Sequence, residues 1–168
     1  ADRSSFLSLL ASILAERAPA KKVTMMFCDA AYGAPYVERL RTMGFSQVQE
    51  VIFGGVSPDD RHYGNMRAYM WAKLREWRLD NMDRSALERL EADLTAPGQH
   101  LDRRDRKFLE SKESMQKRGV ASPDDADALC LTFAAPVQIK GVGYKRPVAK
   151  TRFTGRSGLG GRPLGWMG

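Results

Sequence analysis

Three aspartates have the spacing and surroundings expected of ligands for a hard divalent cation. Asp124 and Asp127 lie in the stretch SPDDADALCLTFA (residues 122–134), and Asp29 follows a short apolar run, residues 23–28. Asp124 and Asp127 share one face of a helix at i,i+3, and no Lys or Arg inside that helix neutralises them. Carboxylate oxygens of this kind suit Mg²⁺ or Mn²⁺. The alternative is a helix N-terminus rich in acids, with Asp127 reaching a backbone donor or a distant Arg.

The residues around Asp127 predict the start of a helix. Ser122 is a suitable N-cap, Pro123 suits the first helical position, and Asp125 lies where a capping-box acid would lie. Asp127 lies one turn further in, where the positive end of the helix dipole has faded. Its face of the helix continues with Cys130, Leu131 and Ala134. The carboxylate of Asp127 is therefore expected to point toward the core, where it must be protonated, paired with a base or bound to a metal.

Asp29 lies where a strand of an open α/β sheet is expected to end. The run at 23–28 predicts a strand buried on both faces, and residues 47–53 predict a second one. The loop AAYGAP and a helix at 36–43, which Gly44 ends, lie between them, so a right-handed crossover and parallel strands are expected. Such sheets bind ligands beyond the carboxyl ends of their strands, which favours a functional role for Asp29. A strand-end or turn Asp without that role is the alternative.

The other elements supply core and surface. Apolar spacing predicts amphipathic helices at residues 6–17, 64–78 and 84–94. The apolar stripe of the second of these helices is a core face rather than a cofactor site. Its members are Met66, Met70, Leu74 and Trp77. Residues 57–62 predict a polar turn, and a highly charged segment, 99–106, precedes a short strand at 107–110.

Composition indicates one ordinary domain followed by a basic tail. The chain has 168 residues, 43% hydrophobic and 28% charged, without a membrane-length apolar run or a signal-peptide pattern. Its net charge of +7 comes entirely from residues 140–168, which hold seven basic residues and no acid. This Gly-rich tail is a DNA-binding arm, a docking peptide for another protein, or a segment with no specific partner. Cys28 and Cys130 are expected to be reduced core residues, and there is no zinc pattern.

The stretch SPDDADALCLTFA closely resembles the last acidic motif of the nuclease domain in tailed-bacteriophage terminase large subunits, the DNA-packaging motors. The start of its helix is also similar to a motif of Holliday-junction resolvases in the ribonuclease H-like superfold. Further segments resemble the same nuclease domains in the same order: FCDAAYGAPYVERLRTMGF (27–45), YGNMRAYMWAKLREW (63–77), DLTAP (93–97) and LESKESMQKRG (109–119). The resemblance, which covers about residues 23–137, implies an α/β fold with a ribonuclease H-like mixed sheet flanked by helices.

The resemblance also divides the chain. Residues 1–139 correspond to a terminase-type nuclease domain that is N-terminally incomplete, and residues 140–168 to a basic, Gly-rich C-terminal tail. The first strands of the fold, and the family's first catalytic Asp on them, are expected to be missing. The sequence also lacks the GxxxxGKS or GxxxxGKT phosphate loop of the ATPase motor.

The activity implied by the resemblance is that of a divalent-metal-dependent endonuclease, which hydrolyses phosphodiester bonds of concatemeric double-stranded DNA during viral genome packaging. Its catalytic and metal-binding residues would be Asp29, Asp127 and Asp124, with Mg²⁺ or Mn²⁺ in a two-metal site whose ions lie about 4 Å apart. Two alternatives stay open: a non-catalytic DNA-binding module of the same fold, and a resolvase-like nuclease for branched DNA.

DNA contacts are expected from basic residues near this site and in the tail. The segment at 99–110 resembles a β-hairpin that terminases have at the rim of the active site. Its charged side chains would contact phosphates there. The alternative is a solvated turn. The expected DNA-binding residues are Lys112, Arg103, Arg104, Arg106, Lys117, Arg118, Lys145 and Arg146. Asn65 and Arg67 resemble the Asn-x-Arg-Ala motif of the family. They either have a positioning role toward the sheet or DNA, or form a salt bridge.

The partners implied by the resemblance are double-stranded DNA, the terminase ATPase domain, the small terminase subunit and the portal. No membrane is implied, and a virus-encoded protein of this class is expected in the host cell cytoplasm.

Overall fold

The computed structural model of the protein describes residues 2–18, 20–77 and 83–137. Along the chain the helices and strands are α1 (Arg3–Ala15), β1 (Met26–Asp29), α2 (Ala30–Thr42), β2 (Val48–Val51), α3 (Met66–Glu76), α4 (Arg84–Thr95), β3 (Gln99–Leu101), β4 (Lys107–Leu109), α5 (Lys112–Lys117) and α6 (Asp124–Cys130). A 3₁₀ turn, Leu131–Phe133, follows α6. Among the described residues the strands form two two-stranded sheets. None of the described helices has the length and hydrophobicity needed to cross a membrane.

The predicted parallel pairing of the first two strands is confirmed. β1 and β2 run parallel, and the register places Asp29 opposite Val51. The prediction that β1 is buried on both faces is wrong, since all four of its residues are only partly buried. α2 begins at Ala30 instead of residue 36, because Asp29 caps the helix by accepting a hydrogen bond from the Ala31 N–H at 3.3 Å.

The end of α2 is a Schellman motif, which confirms the predicted role of Gly44. This glycine has a φ of +94°, a conformation that favours residues without a Cβ. Its N–H donates to the carbonyl of Arg41 at 2.9 Å, and the Phe45 N–H donates to the carbonyl of Leu40 at 3.0 Å. The chain is thereby turned from α2 into β2.

α1 confirms the predicted amphipathic helix but buries only part of the predicted face. Leu14 is buried and Leu10 is partly buried, whereas Phe6, Leu9 and Ile13 are 42%, 55% and 41% exposed. The helix packs on α2, and a single neighbouring helix does not cover the full width of the apolar face.

The main core lies between α3, α4 and α6. Its buried members are Val51, Met70, Trp71, Leu74, Leu90, Ala126 and Cys130. The predicted stripe of α3 is therefore confirmed at Met70 and Leu74. Trp77 departs from that stripe, because α3 ends at Glu76 and Trp77, which caps the helix, is 50% exposed.

The charged segment before α5 folds into the hairpin that the family resemblance implies. β3 and β4 are antiparallel, with His100 opposite Phe108. Asp102 closes the turn, since its carboxylate accepts hydrogen bonds from the backbone N–H groups of Arg104 at 2.8 Å and Arg106 at 3.0 Å.

The hairpin is attached to the chain segment that leads into α3. The Lys107 N–H donates to the carbonyl of His62 at 2.8 Å, and the Gly64 N–H donates to the carbonyl of Lys107 at 3.0 Å. The ring of Phe108 packs on Gly64 so closely that a Cβ at residue 64 would lie 1.8 Å from Phe108 Cζ. Only a residue without a side chain permits this approach of ring and backbone.

α5 is an element that the sequence patterns do not predict. Its six residues are too few to show a helical periodicity, although Ser111 caps it by accepting a hydrogen bond from the Ser114 N–H at 3.1 Å. Met115 is fully buried and fixes the helix against the rest of the fold.

The start of α6 differs from the predicted capping. The Ser122 hydroxyl donates to the Asp124 carboxylate at 2.6 Å and caps no backbone group. The N–H groups of Asp125 and Ala126 donate instead to the carboxylate of Asp93 on α4, at 2.9 and 3.2 Å. A side chain from another helix thus performs the capping that local sequence assigns to Ser122.

We expect Gly64→Ala to lower the free energy of unfolding by about 1–3 kcal/mol, because the added methyl group must displace the Phe108 ring. Urea denaturation of the variant measures this change. Gly54→Ala is the matched control, since nothing lies within 4 Å of a Cβ at that position. Equal destabilisation by the two substitutions would show that the contact with Phe108 does not matter.

Candidate active site

The carboxylate of Asp127 is buried and is surrounded by hydrogen-bond donors. Its side chain is 6% exposed. Arg67 donates from Nε to Oδ1 at 2.9 Å and from Nη2 to Oδ2 at 3.2 Å, and the indole N–H of Trp71 donates to Oδ1 at 2.8 Å. Both donors lie on α3, which packs against α6. The predicted inward orientation of Asp127 is therefore confirmed, and of the two interpretations of Arg67 the structure shows the salt bridge.

Lys112 joins Asp127 to Asp124. Its ammonium nitrogen lies 3.1 Å from Oδ2 of Asp127 and 3.0 Å from Oδ1 of Asp124. The hydrogen bond from Ser122 and then the one from Lys112 lower the pKa of Asp124. Burial alone would lower the pKa of Lys112, but the hydrogen bonds to the two carboxylates outweigh it and raise that pKa. Lys112 is thus held in its charged form between two acids.

Asp29 lines an open groove of about 990 Å³ beyond the carboxyl ends of β1 and β2. Arg67 and Lys112, the two cationic partners of Asp127, line the same groove. Other side chains on its wall are Tyr32, Ile52, Asn65, His100, Phe108 and Ser111. The groove therefore lies where the βα topology predicts a ligand site, and its lining holds the acids Asp29, Glu110 and Glu113 beside the two cations.

The described residues do not form a site for a divalent metal ion. In residues 2–18, 20–77 and 83–137, no group of three or more His, Cys, Asp or Glu side chains is placed to hold one. Both oxygens of Asp127 already accept hydrogen bonds from Arg67, Trp71 or Lys112. An ion shared by Asp124 and Asp127 would have to replace the ammonium group of Lys112, so this arrangement does not fit a metal ion.

Glu110 connects the hairpin to the Asp127 site. Its backbone carbonyl accepts a hydrogen bond from Arg67 Nη1 at 3.0 Å. Its carboxylate accepts from Arg118 Nη2 at 2.7 Å, from the Gly98 N–H at 2.9 Å and from the Ser114 hydroxyl at 2.7 Å. The Arg118 hydrogen bonds, followed by those from Gly98 and Ser114, lower the pKa of Glu110 to about 2. Arg118 therefore anchors the base of the hairpin.

The remaining predicted DNA contacts fall into three groups. Arg106 is engaged inside the hairpin turn, where its Nη2 lies 2.7 Å from the carboxylate of Asp102 and lowers the pKa of that acid to about 2. Arg103, Arg104 and Lys117 are exposed. Lys145 and Arg146 lie outside the described residues. A role of these residues in DNA binding stays a prediction.

Several residues of the site escape sequence reasoning. From the sequence alone, Trp71 is indistinguishable from an apolar core residue and Asp93 from a surface acid of α4. Glu110 is predicted only as the end of a strand. Each acts through a partner that lies far away in the chain, such as Asp127 for Trp71 and Asp125 for Asp93. Asn65, by contrast, is named from the family resemblance, and its residue type also favours an N-cap. It does cap α3, because its side chain accepts a hydrogen bond from the Ala68 N–H at 2.9 Å.

The fold is similar to that of a known viral nuclease. No protein-family model and no curated protein matches the chain. Among solved structures, the nuclease domain of the large terminase subunit gp2 of bacterial virus Sf6 matches with a TM-score of 0.53, at 21% identity over 68% of this chain and 66% of that chain. A mutant of that domain with manganese and β-thujaplicinol matches with a TM-score of 0.62, at 18% identity over 82% of this chain and 74% of that one. A mutant gp2c with calcium matches with a TM-score of 0.52, at 20% identity over 68% and 66%.

These similarities confirm the predicted fold. The chain has a terminase nuclease-domain-like, ribonuclease H-like α/β fold, and its sheets are small. It spans about two thirds of the length of the Sf6 nuclease domain in the first of these comparisons. At this identity the similarity establishes the fold, whereas activity and substrate require evidence from the site.

We expect Asp127→Leu to lower the free energy of unfolding by about 3–5 kcal/mol, because it leaves the buried charge of Arg67 without its carboxylate. Arg67→Met should cost less, since Lys112 still lies 3.1 Å from the carboxylate of Asp127. The double variant should lose much less than the sum of the two. Urea denaturation of the variants in EDTA provides this double-mutant cycle, with Asp60→Asn in the exposed turn as a control that stays within about 0.5 kcal/mol of wild type. A stabilised Asp127→Leu protein would contradict this expectation and show that the buried carboxylate costs more than its partners contribute.

Glu110 should make folding sensitive to acid. Its pKa is lowered from 4.5 to about 2 in the folded protein, so its contribution to stability is complete above about pH 4.5 and is lost as the pH falls toward 2. In Glu110→Gln the free energy of unfolding should therefore be lower at neutral pH and depend less on pH between 4.5 and 2. Urea denaturation at a series of pH values tests this, and an unchanged slope would contradict the assignment.

Proposed function

We propose that this chain is the nuclease domain of a viral DNA-packaging terminase, a divalent-metal-dependent endodeoxyribonuclease that hydrolyses phosphodiester bonds of concatemeric double-stranded DNA during genome packaging. The observation that carries the proposal is the groove beyond the carboxyl ends of β1 and β2. It combines Asp29 with the cationic side chains of Arg67 and Lys112, in a fold similar to that of the Sf6 nuclease domain.

The residues of the groove have distinct roles in this function. Lys112, whose side chain is 40% exposed, brings positive charge to the groove and would attract the phosphate backbone, whereas Arg67 is 10% exposed and holds Asp127 in place. Arg103 and Arg104 in the hairpin turn and Lys117 at the end of α5 are exposed, so they would be available for further phosphate contacts. Asp29, at the end of β1, is the proposed catalytic acid that lines the groove, while Asp124 and Asp127 hold Lys112 in position.

Mg²⁺ or Mn²⁺ is the proposed cofactor. Support comes from the similar Sf6 domains, which were solved with calcium and with manganese. The described residues alone do not provide a complete ligand set. The proposed metal requirement therefore concerns the nuclease activity, and no described residue is assigned as a metal ligand on the basis of the structure.

The proposed partners follow from the same class of protein. They are double-stranded DNA, a terminase ATPase domain, a small terminase subunit and the portal, with packaging in the host cell cytoplasm. The basic residues at 140–168, including Lys145 and Arg146, would add salt-sensitive attraction to DNA.

A second candidate function is a non-catalytic DNA-binding module of the same fold. The observation that favours it is the saturation of Asp127 by Arg67, Trp71 and Lys112, which occupies the carboxylate that a metal-dependent nuclease would use. Such a module would bind DNA through the same groove and leave the backbone intact.

We expect the chain to nick supercoiled plasmid DNA in Mn²⁺ or Mg²⁺ and to lose this activity in EDTA. Asp29→Asn should abolish nicking while it leaves DNA binding and urea stability nearly unchanged, because the amide keeps a cap for Ala31. Asp60→Asn, a change of an exposed acid outside the groove, should nick like wild type. Plasmid gels and a DNA-binding titration at several salt concentrations provide the measurements.

The two candidate functions give different outcomes in this experiment. Metal-dependent nicking that disappears in Asp29→Asn supports the nuclease. Salt-sensitive binding without nicking in either metal contradicts it and supports the module. Nicking that persists in Asp29→Asn would show that Asp29 is not a catalytic residue.

A further inference from the structure

An aromatic pair on the hairpin lines the groove and has no role in the function proposed above. The imidazole of His100 and the ring of Phe108 are stacked, with centroids 5.6 Å apart and an angle of 14° between their planes. Both side chains lie on the wall of the groove that Asp29 lines. Phe108 is packed on Gly64, whereas His100 is exposed.

The position of this pair is fixed by the structure around it. Backbone hydrogen bonds attach β4 to residues 62–64, and Gly64 admits the ring of Phe108. Arg118 and the Gly98 N–H bind the carboxylate of Glu110 and so hold the base of the hairpin. A stacked ring on such a rigid support loses little conformational freedom when a second ring stacks on it.

The other wall of the groove also exposes apolar surface. Tyr32, in the first turn of α2, is 87% exposed, and Ile52, just after β2, is 62% exposed. Side chains of these types are poor ligands for phosphate groups, and they suit the faces of aromatic bases. The groove thus places aromatic and aliphatic side chains beside Lys112, a combination that sites for unpaired nucleic acid share, and it also holds the carboxylates of Asp29, Glu110 and Glu113.

We propose that His100, supported by Phe108, is a stacking site for an unpaired nucleobase, and that the groove therefore prefers frayed or forked DNA to intact duplex. This inference rests on the proposed function, since it takes DNA as the ligand. Inside a duplex the faces of the bases are covered by their neighbours, so away from the duplex ends the exposed face of His100 can stack only on a base that has left the helix. Among the described residues the imidazole of His100 makes no hydrogen bond that would require this orientation.

The test compares the affinity of the full chain for a blunt duplex with its affinity for a forked duplex. The fork carries, in its unpaired arm, a fluorescent adenine analogue whose emission is quenched by stacking. Wild type should bind the fork more tightly and quench the analogue. His100→Ala should weaken binding of the fork about tenfold, the order expected from the loss of one base–aromatic stack, with duplex binding unchanged.

Two further variants separate stacking from hydrogen bonding. His100→Phe keeps an aromatic face and should retain the preference for the fork and the quenching. His100→Gln keeps hydrogen-bonding groups without a ring and should behave like His100→Ala. The reverse order, or equal weakening of fork and duplex in His100→Ala, would overturn the inference and identify His100 as a phosphate contact.

The outcome also distinguishes this inference from the proposed function. If the chain nicks plasmid DNA but binds fork and duplex equally, only the stacking site is refuted. If the chain binds neither DNA, both the proposed function and the stacking site are refuted.

Discussion

The buried carboxylate of Asp127 is the constraint on which the rest of the structure depends. A carboxylate in the interior is tolerated only if its oxygens are bound by donors and its charge is balanced. Arg67 and Trp71 supply these donors from α3, and Lys112 supplies another from α5. Since α6 carries Asp127, the relative positions of all three helices are fixed by one charged group. The apolar core around Met70 and Cys130 then packs in the space that this arrangement defines.

The same interaction sets the electrostatic character of the groove. Arg67 and Lys112 carry two positive charges, and Asp124 and Asp127 carry two negative ones, so the cluster is neutral overall. Lys112 is the exposed cation of the cluster, at 40% of its side chain, whereas the side chains of Arg67 and Asp127 are 10% and 6% exposed. A ligand that enters the groove would therefore meet Lys112 together with the carboxylates of Asp29, Glu110 and Glu113. The ion pairs that stabilise the packing of α3, α5 and α6 thus also set the charge at this part of the groove, so a substitution in the cluster changes both.

Sequence patterns predicted the elements that depend on local chemistry. The helix ending at Gly44, the parallel strands on either side of α2, and the core stripe at Met70 and Leu74 follow from turn residues and periodicity. The inward orientation of Asp127 follows in the same way. Its partners do not, because Arg67 lies 60 residues away in the chain and no spacing rule connects them. The capping of α6 by Asp93 could not be predicted either, because the residues next to the helix favour Ser122 as the N-cap.

The hairpin and the Asp127 site are mechanically connected through residue 110. The carboxylate of Glu110 binds Arg118 and the Gly98 N–H at the base of the hairpin, and its carbonyl binds Arg67. Arg67 in turn binds Asp127, so a short chain of hydrogen bonds leads from β3 to α6. Because each bond in this chain is directional, the hairpin cannot shift relative to α6 without breaking at least one of them. The hairpin and Lys112 therefore form a single rigid surface. The distances between the groups that a ligand would contact on it are fixed before the ligand binds.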